Sequence, residues 1–418
     1  MGTRVTPWHA ASVIIGVGMC VLSAGYVRAD EPSNAGLKAE VELLKERLAK
    51  LEDQLDSQKA SEAGAASGSA IVQLPSGLHG VNLSGFVDTT YTYNFNTPKS
   101  PRTNTLRVFD TRANSVMLNN AELVLEKPVS VESPVGFRTD LDFGTDSEVV
   151  GGVTTGLGTG DDEVDLQQAY VEYLAPVGNG LDVKAGKFVT LHGAEVIESK
   201  DNWNISRSLL FGFAIPFTHT GVRANYAWCD KFSTVVGVNN GWDVVDDNNE
   251  AKTVELGFTA IPLEKVSVGS TYMLGAEQTG NNTNQRSLWD IVASYQPIEP
   301  LQLKLNYDYG WEDNAAGFHN NAVWQGLAGY ARYALNDQWA LALRGEWFSD
   351  PDGVRTALGR TGLKVYEWTA TSEYQLNKHL LSRLEYRHDQ ANENVFLHDK
   401  SGQRPNQDTI ALEFIAPF

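Results

Sequence analysis

From Val81 to Phe418 the chain repeats one pattern: about sixteen segments of about 9 to 14 residues in which apolar and polar side chains alternate. A period of two marks strands whose two faces meet different surroundings. The connections alternate as well. Short ones fall at Pro176 to Gly180, Cys229 to Lys231, Pro262 to Lys265, Pro297 to Pro300, Asn336 to Asp337 and Asn377 to Lys378. Long polar ones fall near 96–114, 146–165, 191–214, 241–251, 275–286, 312–321, 349–364 and 390–406. Only Pro128 to Pro134 makes a somewhat longer turn among the short set. A meander with tight turns at one rim and long loops at the other produces this order. The expected fold is therefore all-β: an up-and-down antiparallel barrel of about sixteen strands over residues 81–418.

The two faces fix what surrounds such a barrel. Past the N-terminal leader no run of 18 apolar residues exists, which excludes a membrane helix bundle, so any span must be built from strands. In Trp339 to Trp347 the outward set is Trp339, Leu341, Leu343, Gly345 and Trp347, against Ala340, Ala342, Arg344 and Glu346. The two tryptophans lie roughly 26 Å apart along a strand, or about 20 Å along the membrane normal at a tilt of about 40°. That matches an apolar band between aromatic girdles. Leu301, Leu303, Leu305 and Tyr307 oppose Gln302, Lys304, Asn306 and Asp308 in the same way, and Phe137, Thr139, Leu141 and Phe143 oppose Arg138, Asp140 and Asp142. Tyr366, Trp368 and Tyr374 oppose Glu367, Thr369 and Glu373, while Leu384 and Tyr386 oppose Arg383, Glu385 and Arg387. With Arg223, these charged inward positions form the candidate lumen wall. An unpaired buried charge costs several kcal/mol, so they are expected to face water, and a barrel of about sixteen strands is wide enough to hold it. The expected function is passive diffusion of ions and small hydrophilic solutes through a transmembrane channel.

The last strand carries Ile410, Leu412, Phe414 and Ala416 at every second position and ends on Phe418. A terminal aromatic closing such a strand resembles the assembly signal of bacterial outer-membrane barrels, with membrane lipids as the partner of the outward face. At the other end Arg4 precedes the apolar run Ala10 to Ala24, and Val27-Arg28-Ala29 offers a cleavage site, so residues 1–29 are expected to be a secretory signal peptide. Residues 30–56 place Leu37, Leu44 and Leu51 at d and Val41, Leu48 and Leu55 at a of a heptad. So short a coiled-coil helix is marginal alone. It is expected in the periplasm, where a homotrimer of barrels would hold its copies together. Residues 57–80 have the Ala/Ser/Gly composition of a flexible linker.

The connection from Leu191 to Pro216 differs from the other long ones. It places Glu195, Glu198, Lys200, Asp201 and Arg207 beside apolar Leu209, Leu210, Phe211, Phe213 and Ile215. A loop lying in solvent has little use for that apolar cluster. The expectation is a loop folded into the barrel, its apolar part on the wall and its charges narrowing the pore.

Other chemistries find little support. The formal charge of -19 disfavours nucleic acid as a partner, and because acid outnumbers base it leans a weakly selective pore toward cations. Gly156, Gly158 and Gly160 are followed by Asp161, Asp162 and Glu163 rather than by a helix, which argues against phosphate. Asp243, Asp246, Asp247 and Glu250 lack the turn glycine of a calcium loop. The eight histidines show no ligand spacing, so no metal or cofactor is expected. With the leader removed Cys229 stands alone and forms no intrachain disulfide. The rival readings are an outer-membrane lipase or protease using His219 or His388, for which no G-x-S-x-G accompanies the histidines, and a barrel that tethers the cell wall through the N-terminal helix.

The run GKFVTLHGAEVIESKDNWNISRSLLFGFAIPFTHTGVRANY, Gly186 to Tyr226, and the opening strand SGFVDTTYTYNFN, Ser84 to Asn96, resemble the outer-membrane β-barrel porins of the OmpL-like type. The resemblance covers the chain from about Val81 to Phe418. It implies an outer-membrane channel of a diderm bacterium and fixes neither solute nor binding residues.

Overall fold

The computed structural model describes residues 80–99, 101–153, 163–315, 320–359, 362–399 and 402–418. The signal peptide, coiled coil and linker expected over residues 1–79 lie outside the described residues.

Sixteen strands close into one antiparallel barrel. In chain order the first eight are β1 Asn82–Asn94, β2 Ser115–Lys127, β3 Val135–Phe143, β4 Val164–Ala175, β5 Leu181–Val189, β6 Thr218–Cys229, β7 Phe232–Asn239 and β8 Thr253–Leu263. The next seven are β9 Val266–Ala276, β10 Gln285–Ile298, β11 Leu301–Glu312, β12 Ala322–Ala334, β13 Trp339–Asp350, β14 Leu363–Asn377 and β15 Leu380–Ala391. A short hairpin of β16 Phe396–His398 and β17 Gly402–Arg404 precedes the closing strand, β18 Asn406–Pro417. Each strand pairs with its neighbours in sequence order and β18 pairs with both β15 and β1, so no edge is left open. No helix among the described residues is long and apolar enough to cross a membrane. The one α-helix among them, α1 Thr145–Val153, lies in the second long loop.

The alternation read from the sequence is the alternation of burial. Along β13, Trp339, Leu341 and Leu343 are exposed on the outside while Ala340, Ala342 and Arg344 are buried inside. On β18 the outward Ile410, Leu412 and Phe414 stand exposed beside Phe418, and the inward Thr409, Ala411 and Glu413 are buried. Exposed apolar surface on this scale around a whole cylinder fits contact with lipid hydrocarbon.

The β1/β18 seam continues to Phe418. Gly85 and Phe418 exchange both backbone bonds, N to O at 3.1 and 2.9 Å. A Cβ on Gly85 would sit 2.1 Å from Glu122 O and 2.6 Å from Cζ of the Phe418 ring, so glycine is the residue that lets the ring lie against the seam.

Candidate pore and its inner loop

The interior is organised by the connection between β5 and β6, residues 190–217. Its neck is closed by Thr190 N donating to Phe217 O at 2.9 Å, and Asp243 Oδ1 accepts the amides of Phe217 and Thr218 at 2.6 and 3.0 Å. From this neck the loop crosses the lumen. Ala194 N reaches Asn306 Oδ1 on β11 at 3.1 Å, and Lys304 stacks its ammonium 4.4 Å from the Trp203 ring. The chain then runs along the far wall and returns past β12, where Trp324 Nε1 donates to Ala214 O at 3.0 Å.

Along that wall, charged side chains take up the polar groups of an irregular backbone. Arg383 on β15 donates to the carbonyls of Ser199 and Asn202 at 2.9 and 2.7 Å. Two residues on, Glu385 accepts Ile205 N and Ser206 N on separate oxygens at 2.6 and 3.0 Å. Two further, Arg387 donates to Arg207 O at 2.6 Å. The inward face of one strand thus presents donor, acceptor and donor in the order the loop needs. On β13, Glu346 accepts Leu209 N and Leu210 N at 2.7 and 2.6 Å, and Arg344 donates to Glu195 and Ser206 O at 2.8 and 2.6 Å. Every buried backbone amide needs a partner, and here the wall supplies what secondary structure does not.

The expectation that all these charges face water is corrected by this arrangement. Arg344, Glu346, Glu367, Arg383, Glu385 and Arg387 point inward as expected but are buried under the loop. They pair with the loop and with one another, as in Arg344 to Glu367 at 2.6 Å and Arg383 to Glu413 at 3.0 Å. Asp140, Asp142 and Asp308 are buried too, Arg138 pairs with Asp140 at 2.9 Å, and Glu373 is held between Arg332 and Arg383 at 2.6 and 3.2 Å. Arg223 forms a two-pronged pair with Glu255 at 2.9 and 3.1 Å and lies 4.1 Å from the Phe188 ring.

The loop's own charges divide into two groups. Glu195 and Arg207 are buried; Glu195 accepts Ser208 N at 2.7 Å, and Arg207 donates to the backbone oxygens of Val196, Ile197 and Ile205. Glu198 and Lys200 are half-buried and Asp201 is exposed. The apolar part packs as anticipated, in a cluster with Leu106, Phe109, Val150, Trp242, Trp324 and Phe348. Gly326 on β12 makes room for it, since a Cβ there would meet Leu210 Cδ2 at 2.6 Å.

Other long connections also enter the barrel, which the sequence pattern did not single out. From the first, Arg107 bonds Asp110 and Asp389 at 2.5 and 2.6 Å, and Phe109 packs edge-on against Phe217 at 5.6 Å. From the second, α1 buries Asp146, and loss of solvent raises its carboxyl to about 7 although Arg207 pulls it down. Burial likewise raises Asp243 to about 6 against its two amide bonds, and lowers His192 to about 3. Arg355, held between the rings of Trp242 and Trp324 at 4.8 and 5.3 Å, is drawn down to about 10 by burial and by Arg286 beside it.

An open cleft lies against β5 to β10. Its volume of about 360 Å³ is bounded by inward side chains of all six strands, and by Leu191 and Gly193 of the loop. Its lining pairs charged Asp182, Lys184, Arg223 and Asp290 with small or neutral Asn225, Ser233, Gly257, Thr259, Gly269 and Thr271. Arg223 alone of these was a candidate from sequence. The available signal was the run of inward Gly, Ser and Thr on β7 to β9, weaker than the charged alternation of β13 to β15.

Three comparisons bear on this geometry. The sequence model of the family described as "Putative beta-barrel porin-2, OmpL-like" matches residues 80–418. A comparison with curated protein sequences finds no match. Among solved structures, the anion-selective porin from Comamonas acidovorans superposes with a TM-score of 0.57 at 11% identity, covering 81% of this chain and 99% of that one. The outer membrane channel DcaP of Acinetobacter baumannii gives 0.53 at 14% identity, covering 81% and 97%. OmpT of Vibrio cholerae in a loop L8 deletion form gives 0.55 at 12% identity, covering 81% and 99%. These likenesses establish the shared barrel fold.

Proposed function

Because the chain belongs to the Putative beta-barrel porin-2, OmpL-like family, and is thereby an outer-membrane porin, we propose that solute passes through the cleft along β5 to β10, with residues 191–216 setting its width. The observation that carries this reading is the division of the interior. Loop and charged wall are bonded to each other on one side, and a polar, small-residue wall stays uncovered on the other. In this reading Glu195 and Arg207 hold the loop's shape, while Glu198, Lys200 and Asp201 are its charges with access to water. Single-channel recording tests it: deleting residues 195–207 should raise conductance, and an unchanged conductance removes the loop from the narrow part of the path.

Weak cation preference fits the cleft's pairing. Lys184 is engaged by Glu172 at 3.1 Å and Arg223 by Glu255, so neither basic group of the cleft is left uncompensated. Reversal potentials under a salt gradient decide it. A channel rather than an enzyme is supported by the family match and the porin neighbours. His219 contacts Thr190 Oγ1 and Gly241 O inside, and His388 pairs with Asp408 at 2.8 Å. A homotrimer is proposed by analogy with the trimer form of Vibrio cholerae OmpT, with the N-terminal helix adding to the assembly from the periplasm. The mass of the detergent-extracted complex, with and without residues 30–56, tests both parts.

A further inference from the structure

We propose that the inner loop is fastened to the β2–β4 wall by a calcium ion bound between Glu122, Asp140 and Glu198. One ligand oxygen from each of these residues lies within 4.8 Å of the others. Three oxygens at that limit lie about 2.8 Å from their common centre, a few tenths of an ångström beyond the calcium–oxygen range of 2.3–2.6 Å, so a small side-chain shift brings all three onto one ion. Glu122 comes from β2, Asp140 from β3 and Glu198 from the loop, which makes the ion a bridge between wall and loop.

Asp140 is already held by Arg138 on both oxygens, at 2.9 and 3.0 Å, and the shortage of donors falls on Glu122. Glu122 is 3% exposed and its Oε1 has no hydrogen-bond partner. Asp142, directly across from Glu122 in the β2/β3 ladder, adds a fourth carboxylate. Lys200 and Arg138 act on Glu122, and each already holds another carboxylate, Asp201 and Asp140 respectively. Neutral donors account for part of the rest. Gln168 holds Asp140 at 2.5 Å, Gln167 holds Glu198 at 2.6 Å, and Asn120 holds Asp142 at 3.2 Å. The amide oxygens of Gln167 and Asn120 are themselves buried without partners. An all-oxygen, carboxylate-rich set with one ligand on a loop suits calcium, which accepts irregular geometry, better than magnesium, which demands a near-ideal octahedron.

The proposal builds on the loop's place inside the barrel, and it is read by equilibrium binding, so it can fail without the conduction reading failing. The full-length chain, refolded in detergent without lipopolysaccharide and stripped with EDTA, is titrated calorimetrically with calcium chloride. One saturable site is expected per chain, with affinity falling at least tenfold in Glu122→Gln and in Glu198→Gln and unchanged in Asp201→Asn. Glu198 sits on the loop, so its variant keeps the test decisive should Glu122→Gln not fold. Absence of saturable binding, wild-type affinity in either folded Gln variant, or an equal loss in Asp201→Asn overturns the site.

Discussion

The twin-oxygen clamps on the inner loop make a prediction whose size follows from the geometry. Glu385 and Glu346 each accept two adjacent loop amides, one per oxygen, so the pair together satisfies the amides of Ile205, Ser206, Leu209 and Leu210. Alanine at either position strands two buried N–H groups, each costing about 1–3 kcal/mol. Lumen water that replaces part of the loss favours the lower end. The double variant Glu346→Ala/Glu385→Ala should therefore weaken docking by about 4 kcal/mol or more, on the order of a thousandfold in the ratio of docked to released loop. The barrel should still close, because the β13/β14 and β14/β15 ladders use backbone bonds that these side chains do not supply. Glutamine is the informative control. It offers one acceptor where two are used and turns its NH₂ toward the second amide, so Glu385→Gln should fall between wild type and alanine. In planar bilayers the double variant should show larger and noisier unitary currents, and added protease should cut within 195–207. A folded double variant with quiet, wild-type currents and a protease-resistant loop would refute the clamp argument.

Three further outcomes follow. Gly269→Phe, where a Cβ meets nothing closer than 3.9 Å, should project into the cleft and lower conductance several-fold, whereas Gly329→Phe on the outward face of β12, with nothing within 4 Å, should leave it unchanged. Asp243, raised to about 6, favours the folded state in its protonated form, so its contribution is present below the ordinary carboxylate range and is lost as pH rises through 6. Asparagine keeps the single oxygen that accepts both amides, so Asp243→Asn should gain stability relative to wild type between pH 4 and 7, seen as a rising difference in the gel-shift melting temperature. Gly85→Val should block closure by clashing with Glu122 O and the Phe418 ring, leaving a heat-unmodifiable, protease-sensitive product.

The barrel was legible because each strand writes its environment locally. Trp339, Leu341 and Leu343 against Ala340, Ala342 and Arg344 require nothing distant to be interpreted. The loops were legible in position, and the apolar run Leu209 to Ile215 marked one of them as inward. Its partners were not, since a contact such as Ser206 with Glu385 joins residues 179 apart in sequence. The same distance hid Arg107, whose place beside Asp389 depends on the barrel having already closed. Only the fold reveals which polar group each inward charge meets.

That dependence also explains why the open side of the lumen went unmarked. Charged inward residues are conspicuous in a sequence, and they invite the reading that water must be near. Here the most charged inward stretch, Arg383 to Arg387, is among the driest, because an irregular backbone crossing a barrel needs strong donors and acceptors as much as water would. The cleft wall along β5 to β10 mixes Asp182, Lys184, Arg223 and Asp290 with Ser233, Gly257, Thr259, Gly269 and Thr271. In the proposed reading these small residues line the solute's path, while the dense charge of β13 to β15 anchors the loop.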